Sequence, residues 1–134
     1  MGEKYQEGIP AMERTSIPSI EWSDVPEGVK SFALIVEDHD APLIKWIHWI
    51  VYDIPENVRK IERGRLPEGA KQARNSFGVK KYRGPCPPFG RHRYFFKLYA
   101  LSEKDLEIKG KRDFYKKVKL YQIESASIYG TYKR

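Results

Sequence analysis

Four side chains able to bind or pass a proton stand inside apolar segments of this chain. Asp38 ends the run SFALIVED, His48 lies within WIHWIVYDIP, and His92 and Tyr94 open HRYFFKLYAL. An imidazole between Ile47 and Trp49 is costly unless hydrogen-bonded; taken alone, His48 is most simply a satisfied core histidine. His92 follows a Gly-Arg turn and opens its segment, so it belongs at a rim. Tyr94, two residues on, shares its face if the segment is a strand. Asp38 and Asp40 flank His39 and need partners, for which His48 and Arg93 are the candidates. The plainer reading is an Asx-type turn before Ala41-Pro42. In GPCPP (84–88), Pro85, Pro87 and Pro88 fix the backbone into a stiff wall, which loses little entropy when it closes on a ligand. A rigid turn between strands would look the same.

The elements that must position these groups are mostly strands. Residues 31–37 form a short apolar run between Pro26-Glu27-Gly28 and Pro42, which predicts a strand buried on both sides. In 46–54, alternation places Trp46, His48, Ile50, Tyr52 and Ile54 on one face and Ile47, Trp49 and Val51 on the other. Both faces are apolar, so this is a second central strand, closed by Pro55. Residues 56–83 are charged and glycine-containing and read as a surface excursion. Residues 92–101 give a third strand with His92, Tyr94, Phe96 and Leu98 on one face. Helical spacing of Phe114, Val118 and Tyr121 predicts a helix over 113–124 with Asp113 as N-cap. A last strand falls near 125–132. Many strands with one or two short peripheral helices predict a mainly β fold, an antiparallel β-sandwich.

The 134 residues make one domain, 1–134. No apolar run reaches membrane-spanning length and the N-terminus lacks a signal pattern, so no integral membrane association is expected. The single cysteine, Cys86, excludes an internal disulfide and fits a reducing, cytoplasmic setting. The net charge of +7 is spread, with acids interspersed, over Arg59 to Arg74 and Lys109 to Lys119. That is a solvated surface, and no specific nucleic-acid partner is expected. Abundant Lys, Arg and Glu hint at a thermophilic source.

An enzyme would use Asp38, His39, His48 and His92 as a metal or acid–base set, yet no tight ligand motif such as HExxH is present. There is no Gly-x-Ser-x-Gly elbow, and Cys86 between prolines has no base beside it in sequence. The expectation is no catalytic residue, no metal and no cofactor.

The order and spacing of these segments resemble the phosphatidylethanolamine-binding protein family, in particular its short bacterial and archaeal branch of Raf kinase inhibitor-like proteins. The similarity runs from about Ile9 to the C-terminal GTYKR and includes SIEWSDVPEGVKSFALIVEDHDAP, the RNSFG turn (74–78) and GPCPPFGRHRYFFKLYAL. It implies a sandwich with Greek-key character and a small cavity for phosphate, acetate or a phospholipid head group. It further implies that Asp38, His48, Gly84, Pro85, His92 and Tyr94 line the cavity, with Asp40, Pro42 and Trp46 at its rim. Tyr94 and the imidazole N–H groups would be the donors, Asp38 would orient or charge an imidazole, and occupancy would fall as pH rises through the histidine pKa. Relatives inhibit serine proteases or kinases, so a protein partner bound through surface loops is the alternative, in a monomer or homodimer. The chain departs from the family pattern at His39, usually proline, in the glycine-free Leu43-Ile44-Lys45, and in an abbreviated N-terminal segment. It also ends without the extra C-terminal helix of the eukaryotic branch.

Overall fold

The computed structural model describes residues 17–84 and 91–133. Pro85 and the rest of the proline wall, with Cys86, lie outside the described residues, as does the N-terminal segment up to Ser16. In chain order the elements are β1 (Ile20–Glu21), β2 (Ser31–Asp38), β3 (Trp46–Pro55), β4 (Lys60–Ile61), β5 (Lys71–Ala73), β6 (Arg91–Leu101), α1 (Lys111–Tyr121) and β7 (Gln122–Lys133).

Five strands form one antiparallel sheet in the order β5-β3-β2-β6-β7. Strand β6 returns past β3 and β5 to lie beside β2, which is the strand order of a Greek key. β1 and β4 pair in a second, two-stranded sheet. Every position of β2 is buried, because both faces of the large sheet are covered. Phe32, Leu34 and Val36 join Phe96 and Leu98 beneath Ile20 and Ile61 of the small sheet. Ala33 and Ile35 point the other way and pack with Ile47 and Ile50 against Phe114 and Val118 of α1. The apolar repeat thus reports two cores, one per face.

Three local expectations change. The 56–83 excursion contains β4 and β5, strands of two and three residues that are too short to show a period. The helix starts earlier, with Gly110 at the N-cap, and Asp113 sits in the first turn, where its Oδ2 accepts the Lys109 N–H at 3.1 Å. A carboxylate there meets the positive end of the helix dipole. The helix also ends at Tyr121, because the backbone from Gln122 onward pairs with β6 from Leu101 back to Arg91.

The most consequential difference lies in β3. Its pairing with β2 slips between Val36↔Trp49 and Glu37↔Ile47, leaving His48 as an extra residue, and slips again near Asp53, whose φ is 51°. These β-bulges break strict alternation. Ile47, Ile50 and Tyr52 therefore face the helix, whereas Trp49, Val51 and Ile54 face the small sheet. His48 and Ile50 do not share a face as the simple period predicts. Among the described residues, no helix is long and apolar enough to cross a membrane.

Candidate functional site

Sheet register gathers the predicted groups at one end of the molecule. Asp38, the last residue of β2, lies opposite Trp46 on one side and Tyr94 on the other. His92 is two residues before Tyr94 on the same face, and the first bulge turns His48 toward them. The His48 ring meets the Tyr94 ring edge-on at 5.1 Å, and the His92 ring lies nearly parallel to Tyr94 at 6.4 Å. Asp38, His48, His92 and Tyr94 are all buried.

The hydrogen bonds fix the proton positions. His92 Nδ1 lies 2.6 Å from Asp38 Oδ2, and a carboxylate only accepts, so Nδ1 carries the proton and Nε2 is the nitrogen left over. Asp38 Oδ1 accepts the Asp40 N–H at 2.9 Å, which commits both carboxylate oxygens. His48 Nδ1 donates to the Arg83 carbonyl at 2.7 Å, again leaving Nε2. Burial pushes the His48 pKa down, and this outweighs the upward pull of the Arg83 carbonyl and the Asp38 charge. His48 is therefore neutral at pH 7, and its Nε2 offers a lone pair rather than an N–H.

The segment 74–84 forms the neighbouring wall, and Asn75 holds it in place. Asn75 Nδ2 donates to the carbonyls of His48 (3.0 Å) and Lys81 (2.9 Å), and Oδ1 accepts the N–H groups of Phe77 (2.9 Å) and Val79 (3.2 Å). Its amide is thus used to capacity. Ser76 clasps β3 through two bonds: its N–H donates to the Ile47 carbonyl at 2.9 Å, and its Oγ accepts the Ile47 N–H at 2.8 Å. The Arg83 N–H donates to the His48 carbonyl at 3.1 Å. These bonds seat Phe77 edge-on against His48 (5.1 Å) and Trp46 (5.6 Å), with the Arg83 guanidinium over its ring at 4.6 Å. Asn75, Phe77 and Arg83 escape a reading of the residues one by one, because asparagine in a turn is unremarkable. The available signal was the RNSFG turn as a block.

The remaining predicted residues divide. Gly84 is buried beside Arg83, and Trp46 is half-buried at the edge of the cluster. Pro42 is exposed, its carbonyl accepting the Ile44 N–H at 2.9 Å. Asp40 is spent on Arg93: Oδ2 accepts from the main-chain N (2.7 Å) and Nε (3.0 Å), and Oδ1 from a terminal nitrogen (2.9 Å). Those Arg93 hydrogen bonds hold its pKa below the usual value. The two acids thus find their partners on β6, at His92 and Arg93, and His48 is not one of them. His39 does not join the site either. Alternation along β2 turns it to the opposite face, where it stacks on Phe95 at 4.0 Å and bonds Glu37.

Among the described residues no three His, Cys, Asp or Glu side chains are grouped to hold a metal. Two open clefts, of about 500 and 740 Å³, lie at the other end of the sheet around Lys71 and Arg65 and contain none of the predicted residues.

The antiparallel, Greek-key sheet is the architecture that the resemblance implied. The chain belongs to the phosphatidylethanolamine-binding protein family, whose model matches residues 3–133. It is 46% identical over 126 residues to a UPF0098 protein of Aquifex aeolicus, covering 87% of this chain and 74% of that one. A UPF0098 protein of Methanothermobacter thermautotrophicus is 43% identical over 124 residues, covering 87% and 82%. Among solved structures, that of Escherichia coli YbcL, a new member of the mammalian PEBP family, superimposes with a TM-score of 0.84 at 36% identity, covering 89% of this chain and 80% of that one. The chain stands in the bacterial and archaeal branch.

Proposed function

We propose that this chain is a non-enzymatic binding protein that takes a small phosphate-like group at the end of β2, between His48, His92 and Tyr94, with Gly84 beside them. The observation that carries the reading is the commitment of both imidazole Nδ1 atoms to internal acceptors, the Arg83 carbonyl and Asp38. Of the imidazole nitrogens, the two Nε2 atoms are the ones this reading assigns to the ligand.

A neutral His48 selects what it meets. Its Nε2 accepts, so the ligand must bring a donor along with its negative charge. A phosphate monoanion does so through its P–OH. The ammonium of an ethanolamine head group supplies a donor beside a phosphodiester, and acetate supplies one only as acetic acid. Occupancy by a phosphate monoester then falls as pH rises through about 6, where it loses its last proton, whereas inorganic phosphate keeps one P–OH as the dianion and stays bound. The direction matches the sequence expectation, but the titrating partner is the ligand rather than His48. Asp38, with both oxygens satisfied, acts as the orienting acid of His92 and is not a docking point for an ammonium. Location in the cytoplasm and any protein partner belong to this proposal as well.

The test is a titration of the full chain with inorganic phosphate, followed through the ring signals of His48 and His92 by NMR. Both rings should shift on one saturating curve, and His92→Ala should abolish that saturation. Saturation that survives His92→Ala, or shifts scattered over surface lysines, would place the anion elsewhere.

A further inference from the structure

On the face of the sheet opposite the site lies a charged group that the proposed binding reading does not use. Glu37 precedes Asp38 in β2, so its side chain points toward α1 when Asp38 points into the site. It is fully buried. A buried carboxylate persists only when donors surround it, and here four side chains do so. Glu37 Oε1 accepts from His39 Nε2 at 2.7 Å and from Lys97 Nζ of β6 at 2.9 Å, with Lys45 Nζ 3.9 Å away. Glu37 Oε2 accepts from the Tyr115 hydroxyl of α1. Burial alone would raise the Glu37 pKa, but the bonds from Tyr115, Lys97 and His39 outweigh it and leave it lowered.

His39 and Lys45 are the first and last residues of the loop joining β2 to β3. Both ends of the loop that borders the site therefore return to one carboxylate. The loop tip has no packing of its own: Leu43 is completely exposed and Ile44 largely so. The tip is also strained. Leu43 has φ 74° and sits at the centre of a tight turn closed by the Ile44 N–H on the Pro42 carbonyl, a conformation that β-carbon-bearing residues rarely adopt. The loop is held at its ends, by Asp40–Arg93 and the His39 stack on Phe95 on one side and by Glu37 on the other.

We propose that Glu37 is a positioning residue for the site: from the far face of the sheet its carboxylate fastens both ends of the 39–45 loop and keeps the neighbouring Asp38 aimed at His92. His39, which stands where the family usually has proline, supplies as a side-chain anchor the constraint that a proline ring supplies covalently. The effect on ligand affinity rests on the binding reading above, whereas the effect on the loop stands without it.

The test compares Glu37→Gln with Tyr115→Phe in the full chain by hydrogen–deuterium exchange and by titration with inorganic phosphate. Both variants break the carboxylate network, but only the first frees the loop. In Glu37→Gln the loop amides should exchange about tenfold faster, as expected for loss of a charge-assisted anchor, with β2 and β6 core amides unchanged. Phosphate affinity should fall several-fold. Tyr115→Phe should leave loop exchange and affinity at wild-type values. Should Glu37→Gln fail to fold, His39→Ala removes the loop's half of the anchor while Lys97 and Tyr115 still satisfy the carboxylate, and it should reproduce the faster loop exchange. Loop exchange unchanged in the folded variants, or equally accelerated by Tyr115→Phe, overturns the proposal. Absence of phosphate binding to the wild type would instead sink the binding reading, and loop exchange would still decide the role of Glu37.

Discussion

Asp38 accepts a hydrogen bond on each oxygen, one from His92 and one from the Asp40 main chain. Asparagine at 38 either turns its NH2 toward the Asp40 N–H and loses that bond, or turns it toward His92 Nδ1 and forces that ring into the Nε2–H tautomer; the charge-assisted pair is gone either way. Asp38→Asn should therefore destabilise the fold by about 1–3 kcal/mol, the cost of an unmet buried partner, measured by urea unfolding. A wild-type midpoint would mean that the pair with His92 is not formed. At this scale the sequence was informative where a period of two holds. His92 and Tyr94 share a face as expected, and Asp38 ends its strand beside them. It was uninformative where the chain departs from that period. An extra residue at His48 has no signature in one sequence, and its neighbours Phe77 and Arg83 come from a turn thirty residues away. His39 was expected near the site and faces the other side, because that same period carries it onto the Glu37 face.

Strands β2 and β3 were legible because each is apolar on both sides, which follows from one sheet face meeting the small sheet and the other meeting α1; β6 was legible from His92, Tyr94, Phe96 and Leu98 alternating with Arg91, Arg93 and Lys97. β1, β4 and β5 are too short to carry a pattern, and their places are set by pairing with residues far off in the chain. The loop 74–84 was legible only as a resemblance, yet it forms a wall of the site. Asn75→Ala removes four hydrogen bonds that sew it to β3 and leaves buried backbone groups unmet, so a loss of about 2–4 kcal/mol in urea unfolding is expected, with phosphate affinity falling alongside. Stability lost with affinity intact would separate this loop from the site. On the other face, Phe114 is the fully buried plug of α1. Phe114→Ala should cost about 3–5 kcal/mol from lost burial and the cavity left behind, read by thermal or urea unfolding, with smaller effect on phosphate binding.

Stability of the whole molecule should depend on pH in two stages. The His48 pKa is depressed in the folded state relative to 6.5, so folding excludes a proton that the unfolded chain binds. Its contribution is complete above pH 6.5 and is lost as pH falls toward the folded value. Glu37, lowered from 4.5, contributes above that pH, and its contribution disappears only in stronger acid. Urea midpoints taken from pH 8 to pH 3 should decline first below about 6.5 and again below about 4.5. His48→Gln, which can still donate to the Arg83 carbonyl, should remove the first decline and leave the second. A first decline that persists in His48→Gln would assign it to another group. Net charge of +7 adds self-repulsion as the acids protonate, which steepens the second stage and leaves its position unchanged.

The central claim, that a neutral His48 accepts a hydrogen bond from a proton carried by the anion, is tested most directly by calorimetric titration with inorganic phosphate and with sulfate between pH 6 and pH 8. Near pH 8 sulfate matches the hydrogen phosphate dianion in size and charge but carries no proton. Phosphate should bind at least about tenfold more tightly at pH 8, the worth of one hydrogen bond to a buried acceptor, and keep that advantage toward pH 6, where the monoanion also carries P–OH groups. Equal affinities, or a sulfate affinity that exceeds that of phosphate across the range, would contradict the account.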